Sequence, residues 1–159
     1  MAITYEPIAT TTLGSSQSSV TFSTISGSFT DLVVIISGVS SDANELQFRL
    51  NSDTGSNYSF TQLYGDGSSA GSSRGSSRTT GRLGSTRTTQ NVHIGHFQNY
   101  SNSTTYKTVL SRESTAGSIV QAFVGLWRST AAITSIEFLP HTGTFSSGMT
   151  FTLYGIASA

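Results

Sequence analysis

The chain has 159 residues and a formal net charge of zero, a length typical of one domain. It holds 30 serines and 24 threonines, while only 10 % of its residues are charged, against roughly 25 % in an average globular chain. Because 35 % are apolar, a disordered polar chain is excluded. The neutral balance argues against a general nucleic-acid binder, and the lack of cysteine excludes disulfides and cysteine-based metal sites.

The N-terminal residues lack the basic segment and the apolar segment that together mark a secretion signal. The longest unbroken apolar run, residues 32–36, is too short to span a bilayer. We therefore expect a soluble protein, made in the cytoplasm, that has neither a membrane nor a nucleic acid as its partner.

Short runs rich in Val, Ile, Thr, Phe and Tyr follow one another along the chain, separated by Gly, Ser, Asn and Asp. This pattern is typical of strands joined by turns, and no stretch has the apolar spacing of a long helix. The number and spacing of the runs predict an all-β protein, an antiparallel, jelly-roll-like β-sandwich, with an immunoglobulin-like sandwich as the second possibility. The ten predicted strands are residues 3–10, 19–25, 31–36, 45–50, 57–64, 91–100, 105–111, 118–127, 133–139 and 149–156.

Period-two alternation predicts which side chains of these strands face the core. In strand 133–139 it buries Ile136 and Phe138 opposite Glu137. In strand 45–50 it places three apolar side chains on one face and two polar side chains on the other, namely Leu46, Phe48 and Leu50 against Gln47 and Arg49.

Two predicted strands, residues 31–36 and 118–127, are apolar on both faces. They are predicted to be central strands, or strands whose outer face is covered by another subunit. Trp127, at the end of the second strand, is expected to be buried in the core or at a subunit interface. Because a monomer would leave one apolar face in water, we also expect a homo-oligomer.

Residues 65–91 form the unusual part of the sequence, with six glycines, seven serines, five threonines and four arginines. The segment carries a local charge of +3, so the remainder of the chain carries −3. It is predicted to be a long Gly/Ser/Arg-rich loop, either a flexible solvated insertion or an arm that orders against an acidic partner, with phosphate or glycan binding as a further alternative. Since arginine pairs with carboxylates in a bidentate way, the candidate partner contacts are Arg74, Arg78, Arg82 and Arg87.

Two stretches, residues 67–71 and 71–75, fit the G-x-S-x-G pattern of a nucleophile elbow. That motif needs a buried strand before the serine and a helix after it, and neither flank here is apolar. We interpret both matches as products of low complexity. The sequence therefore predicts no catalytic residue, and we do not expect an enzyme.

Two further patterns suggest metal binding. His93 and His96 are three residues apart on a predicted strand, so their side chains point to opposite faces and cannot chelate one ion without a bulge. Residues 51–57 loosely resemble a calcium loop, but they offer a single carboxylate, and a turn explains the same residues. We predict no metal site and no cofactor.

Five stretches of the sequence resemble small virion structural proteins of tailed phages, in particular phages of cyanobacteria and other aquatic bacteria. In such phages similar sequences occur as free-standing proteins and as modules of tail-fibre-like proteins. The matching residues are packing and turn residues, so the resemblance assigns no site. The stretches are residues 48–58 (FRLNSDTGSNY), 63–65 (LYG), 104–108 (TTYKT), 124–133 (VGLWRSTAAI) and 152–156 (TLYGI).

The resemblance implies a virion protein, either a head decoration (cement) protein or a tail-fibre module that recognises host surface glycans. A decoration protein would bind the major capsid protein and stabilise the capsid lattice. Because the sequence enters a predicted strand almost at once, without a trunk, we expect the free-standing decoration protein. The threefold and quasi-threefold points of such lattices, with the strands that are apolar on both faces, lead us to expect a homotrimer.

Overall fold

The computed structural model describes residues 4–115 and 117–157, which contain twelve β-strands and no helix. This part of the chain accordingly has no helix long and apolar enough to cross a membrane. The strands are β1 (Tyr5–Thr12), β2 (Val20–Phe22), β3 (Asp31–Gly38), β4 (Glu45–Leu50), β5 (Tyr58–Gly65), β6 (Ala70–Arg78), β7 (Gly81–Ser85), β8 (Asn91–Phe97), β9 (Lys107–Thr115), β10 (Ile119–Trp127), β11 (Ile136–Pro140) and β12 (Thr150–Ile156).

The strands form two sheets, and every pairing within them is antiparallel. The large sheet has eight strands in the order β1-β12-β3-β8-β9-β10-β5-β6, and the small sheet has four in the order β2-β11-β4-β7. The chain passes repeatedly from one sheet to the other, so neighbours in space are often distant in sequence. The predicted all-β sandwich is confirmed. Each of the ten predicted strands overlaps an observed strand, although most bounds shift by one to four residues and residue 3 of the first predicted strand lies outside the described residues.

The structure differs from the prediction at residues 65–91, where two strands, β6 and β7, replace much of the expected long loop or arm. β6 pairs with β5 along the edge of the large sheet, and β7 pairs with β4 along the edge of the small sheet. Glycine suits this pairing, because a side chain at Gly81 would collide with the ring of Phe48. Backbone pairing and rings from neighbouring strands therefore order a segment whose own composition offers little to bury.

The core lies between the sheets and contains the side chains that alternation predicted to face inward. Ile136 and Phe138 are fully buried while Glu137 on the opposite face is half-buried. Trp127 is only 2 % exposed, so its predicted burial is confirmed. Gln47 is also buried, although it lies on the face opposite the apolar residues of β4.

The two strands that are apolar on both faces, β3 and β10, lie inside the large sheet, as predicted. Their outward faces differ. Val33 of β3 is 7 % exposed, whereas Val120 and Val124 of β10 are 55 % and 53 % exposed. Residues 4–115 and 117–157 thus leave the outward face of β10 uncovered.

Candidate interaction surface

Exposed apolar side chains form a group on the outer face of the large sheet, the face turned away from the core. Leu63 of β5 is 62 % exposed, more than either valine of β10. Single exposed apolar residues are common on a monomeric surface, whereas a group of them on one face is a candidate interaction surface. We call this group the outer patch, and its members are Leu63, Val92, Leu110, Val120, Ala122 and Val124.

The register of the strands makes the outer patch continuous across β5, β10 and β9, whereas Val92 of β8 is separated from Val120 by Ser114 of β9. Ala122 lies opposite Leu63 of β5, and Val124 lies opposite Leu110 of β9. Since neighbouring strands are about 4.8 Å apart and alternate residues along a strand about 7 Å apart, these side chains touch or nearly touch. The large sheet therefore presents one apolar surface rather than isolated residues.

Arg112 stands in the middle of the outer patch. On β9 it lies opposite Ala122 on one side and Ile94 on the other. Its side chain is exposed, and it makes neither an ion pair nor a side-chain hydrogen bond with any described residue. A cavity of about 440 Å³ beside Leu63 and a cavity of about 340 Å³ beside Leu110 adjoin it.

The four arginines predicted as partner contacts fall into two groups. Arg78 and Arg82 both pair with Glu45, the latter at 3.3 Å, and Arg87 lies 3.7 Å from Glu113. These three lie at one end of the sandwich and are bound to acids of the same chain. Arg74, on the edge strand β6, is exposed and forms no ion pair within the described part of the chain.

Arg82 also packs against aromatic rings between the sheets. Its guanidinium carbon lies 5.5 Å from the ring centre of Phe60 and 5.1 Å from that of Phe123. Burial lowers the pKa of Arg82, although Glu45 and Glu113 oppose that shift. Arginine remains protonated even when it is partly buried. The charged guanidinium group of Arg82 therefore packs on the two rings and covers this end of the core.

Glu113 and His93 lie beneath these arginines, and both side chains are completely buried. The Glu113 carboxylate accepts hydrogen bonds from the backbone N–H of Ser85 and from Nε2 of Gln121. His93 Nδ1 lies 3.5 Å from Glu113, and its Nε2 lies 3.0 Å from the side-chain amide of Asn91. We call Glu113, His93, Gln121, Ser85 and Asn91 the buried polar cluster.

Burial governs ionisation in the buried polar cluster. It lowers the pKa of His93 to about 4, and the charge of Arg87 adds to this shift. Burial raises the pKa of Glu113 from its ordinary value, although the Ser85 hydrogen bond and Arg87 partly offset the increase. His93 is therefore neutral at pH 7, and the cluster has the character of a structural hydrogen-bond network.

The prediction for the two strand histidines is confirmed, because they lie on opposite faces of β8. His93 faces the core, whereas His96 faces outward and lies 3.0 Å from Asp31. Among the described residues no group of three or more His, Cys, Asp or Glu side chains could hold a metal ion.

Residues 51–57 form a turn, as predicted. Asp53 accepts hydrogen bonds from the backbone of Gly55, from Asn57 and, at 2.6 Å, from the indole N–H of Trp127. Burial alone would raise the pKa of Asp53, but these hydrogen bonds outweigh it and lower the pKa. The single carboxylate that resembled a calcium ligand thus fixes the turn to the core.

The serines of the two G-x-S-x-G stretches lie outside any strand-to-helix turn. Ser69 is in the turn between β5 and β6, where it donates to Asp66. Ser73 lies within β6 and donates to Gln62. The local geometry required of a nucleophile elbow is therefore missing at both serines.

Sequence reasoning missed the outer patch and Arg112, although one signal was available. Alternation in residues 118–127 already gave an outward row of Val120, Ala122 and Val124. What was missing was the pairing of β10 with β9 and β5, which adds Leu110, Arg112 and Leu63 to that row.

Comparison with known proteins adds only distant likenesses of fold. No protein-family model and no curated protein matches the chain. An exo-inulinase from Aspergillus awamori matches with a TM-score of 0.46 and 14 % identity over 96 % of this chain, which spans 29 % of the inulinase chain. The galectin LEC-6 from Caenorhabditis elegans matches with a TM-score of 0.40 and 10 % identity over 91 % of this chain and 94 % of the galectin.

Proposed function

We propose that this chain is a head decoration protein of a phage, a homotrimeric structural subunit that binds the major capsid protein and stabilises the capsid lattice. The outer patch is the observation that carries the proposal. A face with Leu63, Val120 and Val124 more than half exposed gains free energy when another protein surface covers it. Such a face favours a protein that works by association, in agreement with the resemblance to virion proteins.

The capsid contact in this proposal lies at the β6 edge of the large sheet. On its outer side β6 has no neighbouring strand from the described part of the chain, and Arg74 is exposed at the middle of β6. An edge strand offers free backbone groups, and an exposed arginine offers a charge for a carboxylate. An acidic segment of the major capsid protein would fit both. Arg78, Arg82 and Arg87 are already paired with Glu45 or Glu113 of the same chain, which leaves Arg74 as the arginine for this contact.

The test is the number of copies in purified particles of the phage whose genome encodes the chain. A decoration protein occurs in hundreds of copies per particle, whereas a tail protein occurs in a few to tens. Quantitative mass spectrometry against the major capsid protein measures the ratio, and a density map locates the protein. A copy number in the tens or fewer would contradict the proposal.

A tail-fibre module that binds host glycans is the second candidate, favoured by a groove at the small sheet. The groove has a volume of about 440 Å³ and is lined by polar side chains that include Gln47, Arg49, Thr79 and His141. Amide, guanidinium, hydroxyl and imidazole groups match the hydroxyls of a sugar. Binding of the protein to a host glycan array, lost on Arg49→Ala but kept on Arg74→Ala, would favour this candidate.

A further inference from the structure

The charges of the outer patch show which kind of contact it can make. The patch contains one cation, Arg112, and no acid: Glu113 points inward, and Asp31 at the margin is engaged by His96 and by the backbone of Asn99. If two copies packed patch against patch, two guanidinium groups would be buried without a carboxylate, at a high cost. The patch is therefore not complementary to itself and requires a different surface that brings an acid.

The chain itself offers one such acid. Seven of its eight acidic side chains have a hydrogen-bond or ion-pair partner within the described residues; these are Asp31, Asp42, Glu45, Asp53, Asp66, Glu113 and Glu137. Glu6 is the eighth. It is exposed and has no such partner in the described part of the chain.

Glu6 lies on β1, the strand at the other edge of the large sheet from β6. The preceding residue, Tyr5, is 53 % exposed, but it points to the face of β1 opposite to Glu6, so the edge presents a carboxylate on one face and an aromatic ring on the other. The outer patch combines an arginine with apolar surface. The β1 edge of one copy and the outer patch of another are thus complementary in charge, since each brings one exposed charge that has no partner among the described residues of its own copy.

We propose that the outer patch binds the β1 edge of a second copy of this chain, with Glu6 of one copy pairing with Arg112 of the next. The proposal rests on the homotrimer of the proposed function and names the contact that builds it. The contact is head-to-tail, because the two surfaces are different. A head-to-tail contact closes into a trimer when each copy is rotated by about 120° relative to the next, and in such a ring every outer patch is covered.

Charge exchange tests the proposed contact in the isolated protein. Arg112→Glu and Glu6→Arg each place like charges together, so each should weaken association about 30-fold or more. The double variant restores an opposite pair and should associate within a few-fold of wild type. Arg74→Glu is the matched control, because Arg74 is the other exposed arginine without an ion pair among the described residues, and it should leave the association unchanged.

Sedimentation equilibrium at protein concentrations from about 1 to about 100 µM gives the association constants. Thermal melting shows that each variant is folded. Should Glu6→Arg fail to fold, Glu6→Gln takes its place and should weaken association without reversing the charge. If association were restored by combining Glu6→Arg with Arg74→Glu, and not by combining Glu6→Arg with Arg112→Glu, the assignment of Arg112 as the partner of Glu6 would be overturned. An unchanged association constant for Arg112→Glu would overturn it as well.

A wild-type mass of 16.7 kDa at every concentration would overturn both the contact and the trimer. The place of the protein in the virion is decided separately, by the copy number in purified particles. High copy number with unchanged association of Arg112→Glu would leave the decoration function standing and reject the contact alone.

Discussion

Single residues of the buried polar cluster show how closely the end of the sandwich is packed. A side chain at Gly84 would meet the carboxylate of Glu113 and the ring of His93. Both are fixed by other hydrogen bonds, so neither can move away without losing a partner. Glu113 and His93 can therefore be buried here only because Gly84 has no side chain.

We expect Gly84→Ala to lower the free energy of unfolding by about 1–3 kcal/mol, the usual cost of forcing extra atoms into a packed site. Gly14→Ala is the control, because a side chain there would meet no atom within 4 Å. Urea denaturation of both variants gives the two values. A Gly84 variant as stable as the Gly14 variant would show that the cluster can rearrange.

His93 gives the stability a defined dependence on pH. Its folded-state pKa of about 4 lies below the ordinary value of 6.5, so the unfolded chain binds a proton more readily between these values. The contribution of neutral His93 to the free energy of unfolding is fully present above pH 6.5. It is lost as the pH falls towards 4, by up to roughly 3 kcal/mol. Glu113 acts in the opposite sense, because its raised pKa favours the folded state on protonation.

His93→Gln should therefore flatten the decline of stability between pH 6.5 and 4, although it lowers stability at neutral pH. His96→Gln is the matched control on the opposite face of the same strand and should keep the decline. Denaturation curves at several pH values compare the three proteins. An equal decline in wild type and His93→Gln would assign the pH dependence to other groups.

At the scale of elements, β6 and β7 are strands because of what lies around them. β7 contributes Leu83, which is completely buried, and Arg82, which closes the core above Phe60 and Phe123. β6 contributes mainly backbone hydrogen bonds along the edge. The arginines of the two strands therefore differ in their effect on stability.

We expect Arg82→Ser to lower the free energy of unfolding by roughly 2–4 kcal/mol, since it leaves Glu45 short of a partner and uncovers two rings. Arg74→Ser should change it by less than about 0.5 kcal/mol, as for other exposed surface positions. Thermal and urea denaturation measure both. Equal effects of the two substitutions would show that Arg82 is only a surface charge.

At the scale of the whole molecule, the large sheet has one face that the described residues cover and one face that they leave exposed. The inner face of the large sheet packs on the small sheet, whereas its outer face carries the outer patch. Apolar exposure on this face does not stabilise the monomer. Substitution there should consequently act on association and leave folding nearly unchanged.

Val124→Asp should convert the assembled protein to a monomer while changing the unfolding free energy of the monomer by less than about 1 kcal/mol. Its neighbour Phe123, which is 2 % exposed, is the control: Phe123→Ala should cost about 3–5 kcal/mol of stability instead. Light scattering and denaturation separate the two effects. Persistence of the oligomer in Val124→Asp would place the interface elsewhere.

The sequence by itself determined the features that depend on local residue patterns. The ten strands follow from runs of β-branched and aromatic residues between turn residues, and the inward row of β11 and the opposite directions of His93 and His96 follow from side chains that alternate every second residue. Such patterns are legible without knowing which strands are neighbours. The all-β sandwich could therefore be predicted before any tertiary contact was known.

Only the tertiary structure decided the features that depend on partners far away in the chain. Residues 65–91 looked like a loop because strand formation there relies on backbone pairing with β5 and β4 and on acids such as Glu45, not on its own apolar residues. The outer patch needed the register of four strands. The sequence of a strand that is apolar on both faces does not show which face will be buried. The strands that cover it come from distant parts of the chain, and their position depends on long-range strand pairing.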